Sequence, residues 1–261
     1  MAAYDNRDTS VPSGQGRHFT LRLGKKRLVY CYIRKNACSA FKLLFEQYSP
    51  HKGKRSNYNT PYEFMAKNHA MKKGGKLEKY DHSIFVYRDV IERSVSLFCN
   101  KFIQCDGNEG IFDNYLSITG QNPERASFSE FVELYLSNDF AQLDPHTHPQ
   151  SHHLRPERYT DAIPLHALHA EMSRIVGPAI ADNVFARPRN SSTHLSVLPL
   201  ENAGALPADT LRDLLLAHGQ MPTVGAFLTD GLRQRIEHVY RDDLTMLATI
   251  AEGRSAGGVV P

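Results

Sequence analysis

Cysteine is scarce in this sequence, with four residues among 261. They show neither a CxxC pair nor the dense spacing of a disulfide-rich domain. Cys31 lies in a predicted buried strand and Cys38 in a predicted loop, so we expect no disulfides and a reducing compartment.

Long apolar segments are absent as well. No run approaches the ~18 apolar residues of a membrane span. The N-terminus has neither the basic nor the apolar region of a signal peptide. We therefore expect no transmembrane segment and a cytoplasmic, bacterial protein.

A strong net charge is missing too, because the formal charge is only +3. That value is too small to indicate a nucleic-acid partner, and we expect none. The charge is uneven, however: residues 51–79 carry eight Lys and Arg side chains against Glu63 and Glu78. This segment, here named the basic crossover, is either a solvated surface or a groove for an anionic molecule.

The chain length and the order of its apolar segments predict the fold. We expect a flexible N-terminal arm over 1–17, one domain over 18–252 and a flexible tail over 253–261. Strand, loop and helix follow one another twice, around Leu28–Ile33 and again around Ile84–Tyr87. This order predicts an α/β fold: a P-loop-like three-layer sandwich with a central, mostly parallel sheet flanked by helices.

Further elements follow from capping and periodicity. A capping-box pattern opens a predicted helix from Phe128 to Leu136. Residues 178–206 are rich in Pro and Asn and are predicted to be mostly loop, and one amphipathic helix is predicted from Leu232 to Ile250.

The first strand-to-helix corner, Arg34–Lys42, has features of a phosphate loop. The first amides of a helix lack internal partners and lie at the positive end of its dipole, so they hold anions. Lys35 adds a charge and Ser39 a hydroxyl, while Ala37, Cys38 and Ala40 are small. The loop is not a Walker A motif, because GxxxxGK[ST] is absent.

The second corner, Arg88–Ser96, offers a guanidinium that can grip a phosphate with two hydrogen bonds. Ser96 lies two turns into the following helix and can reach the same phosphate if that helix leans over the strand end. Asp89 and Glu92 are expected to orient Arg88 and Arg93, and a purely structural network of these charges is the alternative. Two such corners predict a nucleotide with phosphate at both ends.

These two segments resemble the phosphate motifs of Golgi-type carbohydrate sulfotransferases, such as the chondroitin sulfotransferases. Arg34-Lys-Asn-Ala-Cys-Ser-Ala-Phe-Lys42 resembles the family's 5′-phosphosulfate loop, and Arg88-Asp-Val-Ile-Glu-Arg-Ser-Val-Ser96 its 3′-phosphate motif. Leu143–Gln150 and Tyr240-Arg-Asp-Asp243 are similar to two later motifs, in the expected order.

The sequence departs from the family pattern at four positions. Arg34 and Val90 stand where the family has Pro, and Phe41 and Thr147 where it has Trp. None of these changes removes a phosphate-binding group.

The resemblance implies transfer of a sulfuryl group from 3′-phosphoadenosine 5′-phosphosulfate (PAPS) to a hydroxyl of an anionic or neutral saccharide or glycolipid, without a metal. Lys35 would act catalytically on the departing 5′-phosphate, and Arg88 and Ser96 would hold the 3′-phosphate. The donor-binding residues implied are Arg34, Lys35, Asn36, Ala37, Cys38, Ser39, Ala40, Arg88 and Ser96.

A general base is also expected, to accept the acceptor proton. His69 and His146 are both candidates, and Glu63 is a third. A metal site is the alternative use of the histidines between 146 and 153, but no Cys or carboxylate stands at ligand spacing, so we predict none. An ATP-dependent kinase and a non-catalytic protein that binds a nucleotide or polyanion are the alternative functions.

Overall fold

A five-stranded sheet dominates the computed structural model, which describes residues 2–7, 16–186 and 196–256. The strands are β1 (Ala2–Asp5), β2 (His18–Leu23), β3 (Lys26–Cys31), β4 (His82–Tyr87), β5 (Arg158–Pro164), β6 (Ser196–Leu198) and β7 (Gln220–Pro222). The helices are α1 (Cys38–Tyr48), α2 (Pro61–Asn68), α3 (Val90–Phe98), α4 (Glu109–Thr119), α5 (Phe128–Glu130), α6 (Leu168–Val176), α7 (Pro178–Val184), α8 (Ala208–His218), α9 (Asp230–Val239) and α10 (Arg241–Ala256).

The strand order of the main sheet is β1-β5-β4-β3-β2. The three central strands are parallel, whereas β1 and β2 pair antiparallel at the two edges. The sheet is therefore mixed rather than mostly parallel as predicted. A two-residue turn at Gly24, whose φ is +60°, joins β2 directly to β3 and forces their antiparallel pairing.

The N-terminus also differs from the prediction of a loose arm over 1–17. Ala2–Asp5 forms β1, and the side chains of Ala2 and Tyr4 are buried. Their apolar surface and the pairing with β5 supply the contacts that order this short segment.

Helices cover both faces of the sheet, which confirms the predicted α/β class. On one face α1, α6 and α7 pack against residues of the central strands, with Tyr30 stacked on Phe41 at a centroid distance of 3.7 Å. On the other face Met246 and Ile250 of α10 contact strand residues such as Phe85. The parallel strands are buried on both sides, as such strands usually are.

Four predictions change in detail. The helix of the second corner continues past Phe98 as a π-helical turn over Cys99–Ile103, and the capped helix α5 likewise continues as a π-helical turn over Phe131–Tyr135. The segment predicted as loop contains α7 and β6. The predicted helix Leu232–Ile250 is two helices, since Tyr240 leaves helical geometry between α9 and α10.

The contacts divide the chain into two compact units. The first comprises Met1–Arg88, Pro149–Arg189 and Asp242–Pro261, and contains the five-stranded sheet. The second comprises Asp89–His148 and Asn190–Arg241. Both are discontinuous in sequence, and the single domain over 18–252 stays a prediction. Within the described ranges, no helix combines the length and apolar character needed to cross a membrane.

Candidate functional site

The loop between β3 and α1 has an unusual backbone. Lys35 and Ala37 have φ angles of 68° and 58°, in the left-handed region that costs a non-glycine residue about 1–2 kcal/mol. Strain of this kind persists only where the surroundings impose it, and it concentrates at ligand sites. Alternation of left- and right-handed residues also turns successive amides toward one point, which suits an anion.

The start of α1 contributes amide donors to this loop. Ala37 occupies the N-cap position and offers no side-chain cap. The Ala40 amide already bonds the Ala37 carbonyl at 3.0 Å, and the Asn36 amide bonds the Ile33 carbonyl at 3.3 Å. The amides of residues 37–39 are therefore the donors that a helix start leaves for a ligand. The set of backbone amides available to a phosphate is therefore smaller than predicted, because the amides of Asn36 and Ala40 bond carbonyls of the chain instead.

Asn36 instead ties the loop to the neighbouring strand. Its side chain is fully buried, and Nδ2 donates to the Val86 carbonyl at 2.8 Å and to Gln150 Oε1 at 2.6 Å. Asn36 thus fixes the loop beside the end of β4, a structural role that differs from the phosphate contact predicted for it.

Gln150 joins the two predicted corners. Its Oε1 accepts from Asn36 Nδ2 and from the Arg88 amide at 2.9 Å, while its Nε2 donates to the Arg88 carbonyl at 2.9 Å. Because β3 and β4 are adjacent and parallel, both corners lie at the same end of the sheet. One buried side chain therefore holds Asn36 and Arg88 together.

A buried carboxylate supports Gln150 in turn. Asp243 has no exposed surface and accepts four hydrogen bonds of 2.8–3.2 Å, from the backbone and side chains of Gln150 and Ser151. Charge-assisted bonds of this kind are stronger than neutral ones. The last of the sequence motifs thus reaches the two corners through Asp243 and Gln150.

Asp89 of the second corner has a capping role that was not predicted for it. Asp89 caps α3 by accepting from the amides of Ile91 and Glu92, both at 2.9 Å. Arg93 is buried, and its terminal nitrogen donates to the carbonyls of His146 and His148. Asp89 therefore stabilises a helix terminus, and Arg93 holds the loop over residues 143–150, here named the histidine loop.

Ser96 lies in the second turn of α3 and is partly buried. It belongs to the second compact unit, whereas Arg88 is the last residue of a segment of the first. Joint binding of one phosphate by Arg88 and Ser96 stays a prediction.

His69 is poorly suited to act as a general base. Its imidazole is buried, with Nδ1 2.9 Å from the Thr20 carbonyl and Nε2 2.7 Å from Ser49 Oγ. Burial also lowers the pKa of His69 below its ordinary value. Both ring nitrogens are engaged by groups of the core beside β2, so His69 is a structural residue. Glu63 is engaged as well, since it accepts from the Asn59 amide at 3.0 Å and belongs to the cap of α2.

His146 has the geometry of an oriented histidine. Its Nδ1 lies 2.6 Å from Asp144 Oδ1, and its side chain is 25 % exposed. A carboxylate at Nδ1 keeps a proton there and makes Nε2 the basic nitrogen. Two carbonyls of this loop are held by Arg93, as described above, and Tyr240 donates to a third, that of Thr147, at 2.8 Å.

Two supporting residues had no predicted role: Gln150 and Asp243. Gln150 and Asp243 stand inside the motifs recognised in the sequence, so the motifs marked their positions. Their roles depend on hydrogen bonds between residues that lie about 60 to 115 positions apart in the chain, and the spacing of a sequence motif cannot show such bonds.

In the part of the chain that the structure describes, no group of three or more His, Cys, Asp or Glu side chains is arranged to hold a metal ion. The sequence also offers Arg187 and Arg189 as residues to close over the nucleotide, with a plain surface role as the alternative, but both lie outside the described residues.

Comparison with known proteins gives one match. The model of the sulfotransferase family matches residues 18–171, more than half of the chain, and covers both corners and the histidine loop. No curated protein and no solved structure matches the chain.

Proposed function

The chain belongs to the sulfotransferase family, and from this premise we propose that it transfers a sulfuryl group from PAPS to a hydroxyl of a carbohydrate or glycolipid. PAPS supplies the sulfuryl group and a good leaving group, 3′-phosphoadenosine 5′-phosphate (PAP). The residues described above supply binding, orientation and proton acceptance.

The single observation that carries the donor assignment is the position of Gln150. Its side-chain oxygen accepts from Asn36 of the first corner and from the amide of Arg88 at the second. A nucleotide with phosphates at the 5′ and 3′ positions needs two anion sites a fixed distance apart. Gln150 and its support, Asp243, are suited to fix that distance.

At the first corner, the amides of residues 37–39 and Lys35 would bind the 5′-phosphosulfate. As the bond from sulfur to the acceptor oxygen forms, the bond from sulfur to the phosphate oxygen breaks, and negative charge moves onto the phosphate. Donors already in place stabilise that charge without reorganisation. At the second corner, the guanidinium of Arg88 would bind the 3′-phosphate, with Ser96.

The acceptor hydroxyl must lose its proton in this step, and we assign that proton to Nε2 of His146. Asp144 supports the assignment, because its carboxylate orients the ring and stabilises the imidazolium that results. His69 is not retained as a base.

A thermal-shift titration tests the proposal. PAP should raise the melting temperature well above any effect of AMP or ATP at equal concentration, because only PAP occupies both corners. Lys35→Ala should reduce the PAP shift. A larger shift with ATP would favour a kinase instead, and equal shifts with all three nucleotides would contradict PAPS as donor.

A further inference from the structure

Two side chains meet at the main chain of Asp144, the residue whose carboxylate orients His146. The Tyr135 hydroxyl donates to Asn114 Oδ1. The amide nitrogen of Asp144 lies 2.9 Å from the same Oδ1 and 3.1 Å from the Tyr135 hydroxyl oxygen. Asn114 belongs to α4 and Tyr135 ends the π-helical turn, and all four residues lie in the second compact unit. We name Asn114 and Tyr135 the Asn–Tyr pair.

The Asn–Tyr pair has a fixed orientation of its own. Tyr135 is fully buried, with its ring centroid 5.3 Å from that of Tyr115. Burial raises the pKa of Tyr135 above its ordinary value, so the hydroxyl stays protonated and able to donate. Asn114 Nδ2 donates to the Gln142 carbonyl at 2.9 Å, and Oδ1 is therefore the atom that this amide group presents to Asp144.

Asp144 connects the Asn–Tyr pair to His146 through a short turn. Its Oδ1 accepts from the His146 amide at 2.8 Å and lies 2.6 Å from Nδ1 of the same residue. Its carbonyl accepts from the amide and the hydroxyl of Thr147, at 2.9 and 2.7 Å. The turn over residues 144–147 is thus closed by its own hydrogen bonds, and the Asn–Tyr pair anchors it at the first amide.

The helix that supplies Asn114 also approaches the Asp144 carboxylate. A methyl group added to Gly110, in the first turn of α4, would lie 3.7 Å from Asp144 Oδ2. The positive end of a helix dipole stabilises a nearby negative charge. α4 therefore supports both the main chain and the carboxylate of Asp144.

The geometry of Asp144 decides which nitrogen of His146 is basic. A carboxylate keeps a proton on Nδ1 only while its oxygen stays within hydrogen-bond distance of that nitrogen. If the Asn–Tyr pair is removed, the Asp144 amide loses its acceptors. An amide without an acceptor is unfavourable away from water, so we expect the turn to shift and to move the carboxylate with it.

We propose that Asn114 and Tyr135 are positioning residues of the reaction. They hold the main chain of Asp144 so that its carboxylate keeps a proton on Nδ1 of His146, and Nε2 is the nitrogen that accepts. The inference rests on the proposed function for the source of the accepted proton. A purely structural role is the alternative, and it predicts a loss of stability without a change at His146.

The test determines the tautomer of His146 by NMR in nitrogen-labelled protein, at a pH where the imidazole is neutral. The His146 signals are those missing from the spectrum of His146→Gln. In the wild type, the proton should be on Nδ1. Tyr135→Phe removes only the hydroxyl, and Asn114→Ala introduces a strong helix former into α4. In both variants the Nε2 signal should move toward the position of a protonated nitrogen.

Tyr115→Phe is the matched control, because Tyr115 is buried beside Tyr135 and its hydroxyl bonds no described group of the histidine loop. It should keep the wild-type tautomer. Asn114 is only half-buried, so Asn114→Ala keeps the test decisive if Tyr135→Phe does not fold.

The outcomes for the inference and for the proposed function are separate, because the tautomer is measured without PAPS or an acceptor. A wild-type tautomer in a folded Tyr135→Phe or Asn114→Ala variant, or an equal change in Tyr115→Phe, would overturn the inference. A wild-type protein protonated on Nε2 would instead contradict Nε2 as the proton acceptor of the proposed function. Failure of the wild type to bind PAP would contradict PAPS as donor.

Discussion

Arg88 is held by its main chain, since Gln150 bonds both its amide and its carbonyl. The substitution Arg88→Ala keeps these bonds, so we expect the variant to fold. Its affinity for PAP should fall by about 10- to 100-fold, because a charged hydrogen bond contributes about 1.5–3 kcal/mol. Calorimetric titration with PAP measures the loss.

Arg158→Ala is the control for Arg88. Arg158 is exposed and begins β5, whereas Arg88 follows the end of β4, and these strands are parallel, so the two arginines lie at opposite ends of the sheet. Its PAP affinity should match that of the wild type. Similar losses in both variants would indicate a nonspecific charge effect and contradict the role of Arg88.

His146 can be tested against a histidine of the same environment. His152 lies 3.0 Å from Asp242 and its side chain is 26 % exposed, close to the 25 % of His146. His146→Gln should lower kcat by about 100-fold or more, the usual effect of losing a general base, with little change in the KM for PAPS. His152→Gln should retain kcat. A wild-type kcat in His146→Gln would show that the proton goes elsewhere.

At the scale of the structural elements, the Gln150 side chain links α10 to the two corners, because it bonds Asp243, Asn36 and Arg88. Gln150→Ala removes the acceptor of the Arg88 amide and one donor to the Asp243 carboxylate, and each unsatisfied group costs about 1–3 kcal/mol. We expect the free energy of unfolding to fall by about 2–3 kcal/mol in a urea titration. PAP affinity should fall too, although in our proposal Gln150 touches no part of the nucleotide.

Gln142→Ala provides the comparison, since Gln142 is exposed and its side chain makes no described hydrogen bond. Both stability and PAP affinity should stay close to wild type. If Gln150→Ala loses stability but binds PAP as the wild type does, Gln150 supports the fold without setting the distance between the corners.

For the molecule as a whole, the buried His18 predicts a dependence of stability on pH. Burial lowers the pKa of His18 from 6.5 to about 4, and its two ring nitrogens lie near the Gly16 carbonyl and the Tyr159 hydroxyl. Between these pH values the unfolded chain binds a proton that the folded chain does not. The contribution of His18 to the free energy of unfolding is therefore fully present above pH 6.5. It is lost as the pH falls, by up to about 3 kcal/mol toward pH 4.

Urea unfolding at pH 7.5 and pH 4.5 measures this loss. His18→Gln retains a polar group near Tyr159 but cannot titrate, so its stability should change less between the two pH values. His69, whose pKa is also lowered by burial, contributes in the same direction and remains in the variant. An unchanged pH dependence in His18→Gln would assign the effect to other groups.

Periodicity and turn chemistry accounted for much of the fold. The strand before each corner and the helix after it were predicted from local patterns, because alternation and helix spacing act over a few residues. The ordered β1 and the break at Tyr240 were not predicted. Pairing with β5 orders the first, and contacts of Tyr240 with Thr147 accompany the second.

The amino-acid sequence alone determined where anions could bind. Residue type alone indicates this capacity at Lys35, at the small residues around the start of α1 and at Arg88. Which groups stand together could be read only from the folded chain, because a hydrogen bond between residues 36 and 150 leaves no periodic trace. The same holds for the histidines. Their pKa and availability depend on burial, so composition left His69 and His146 equivalent until packing placed one in the core and the other beside Asp144.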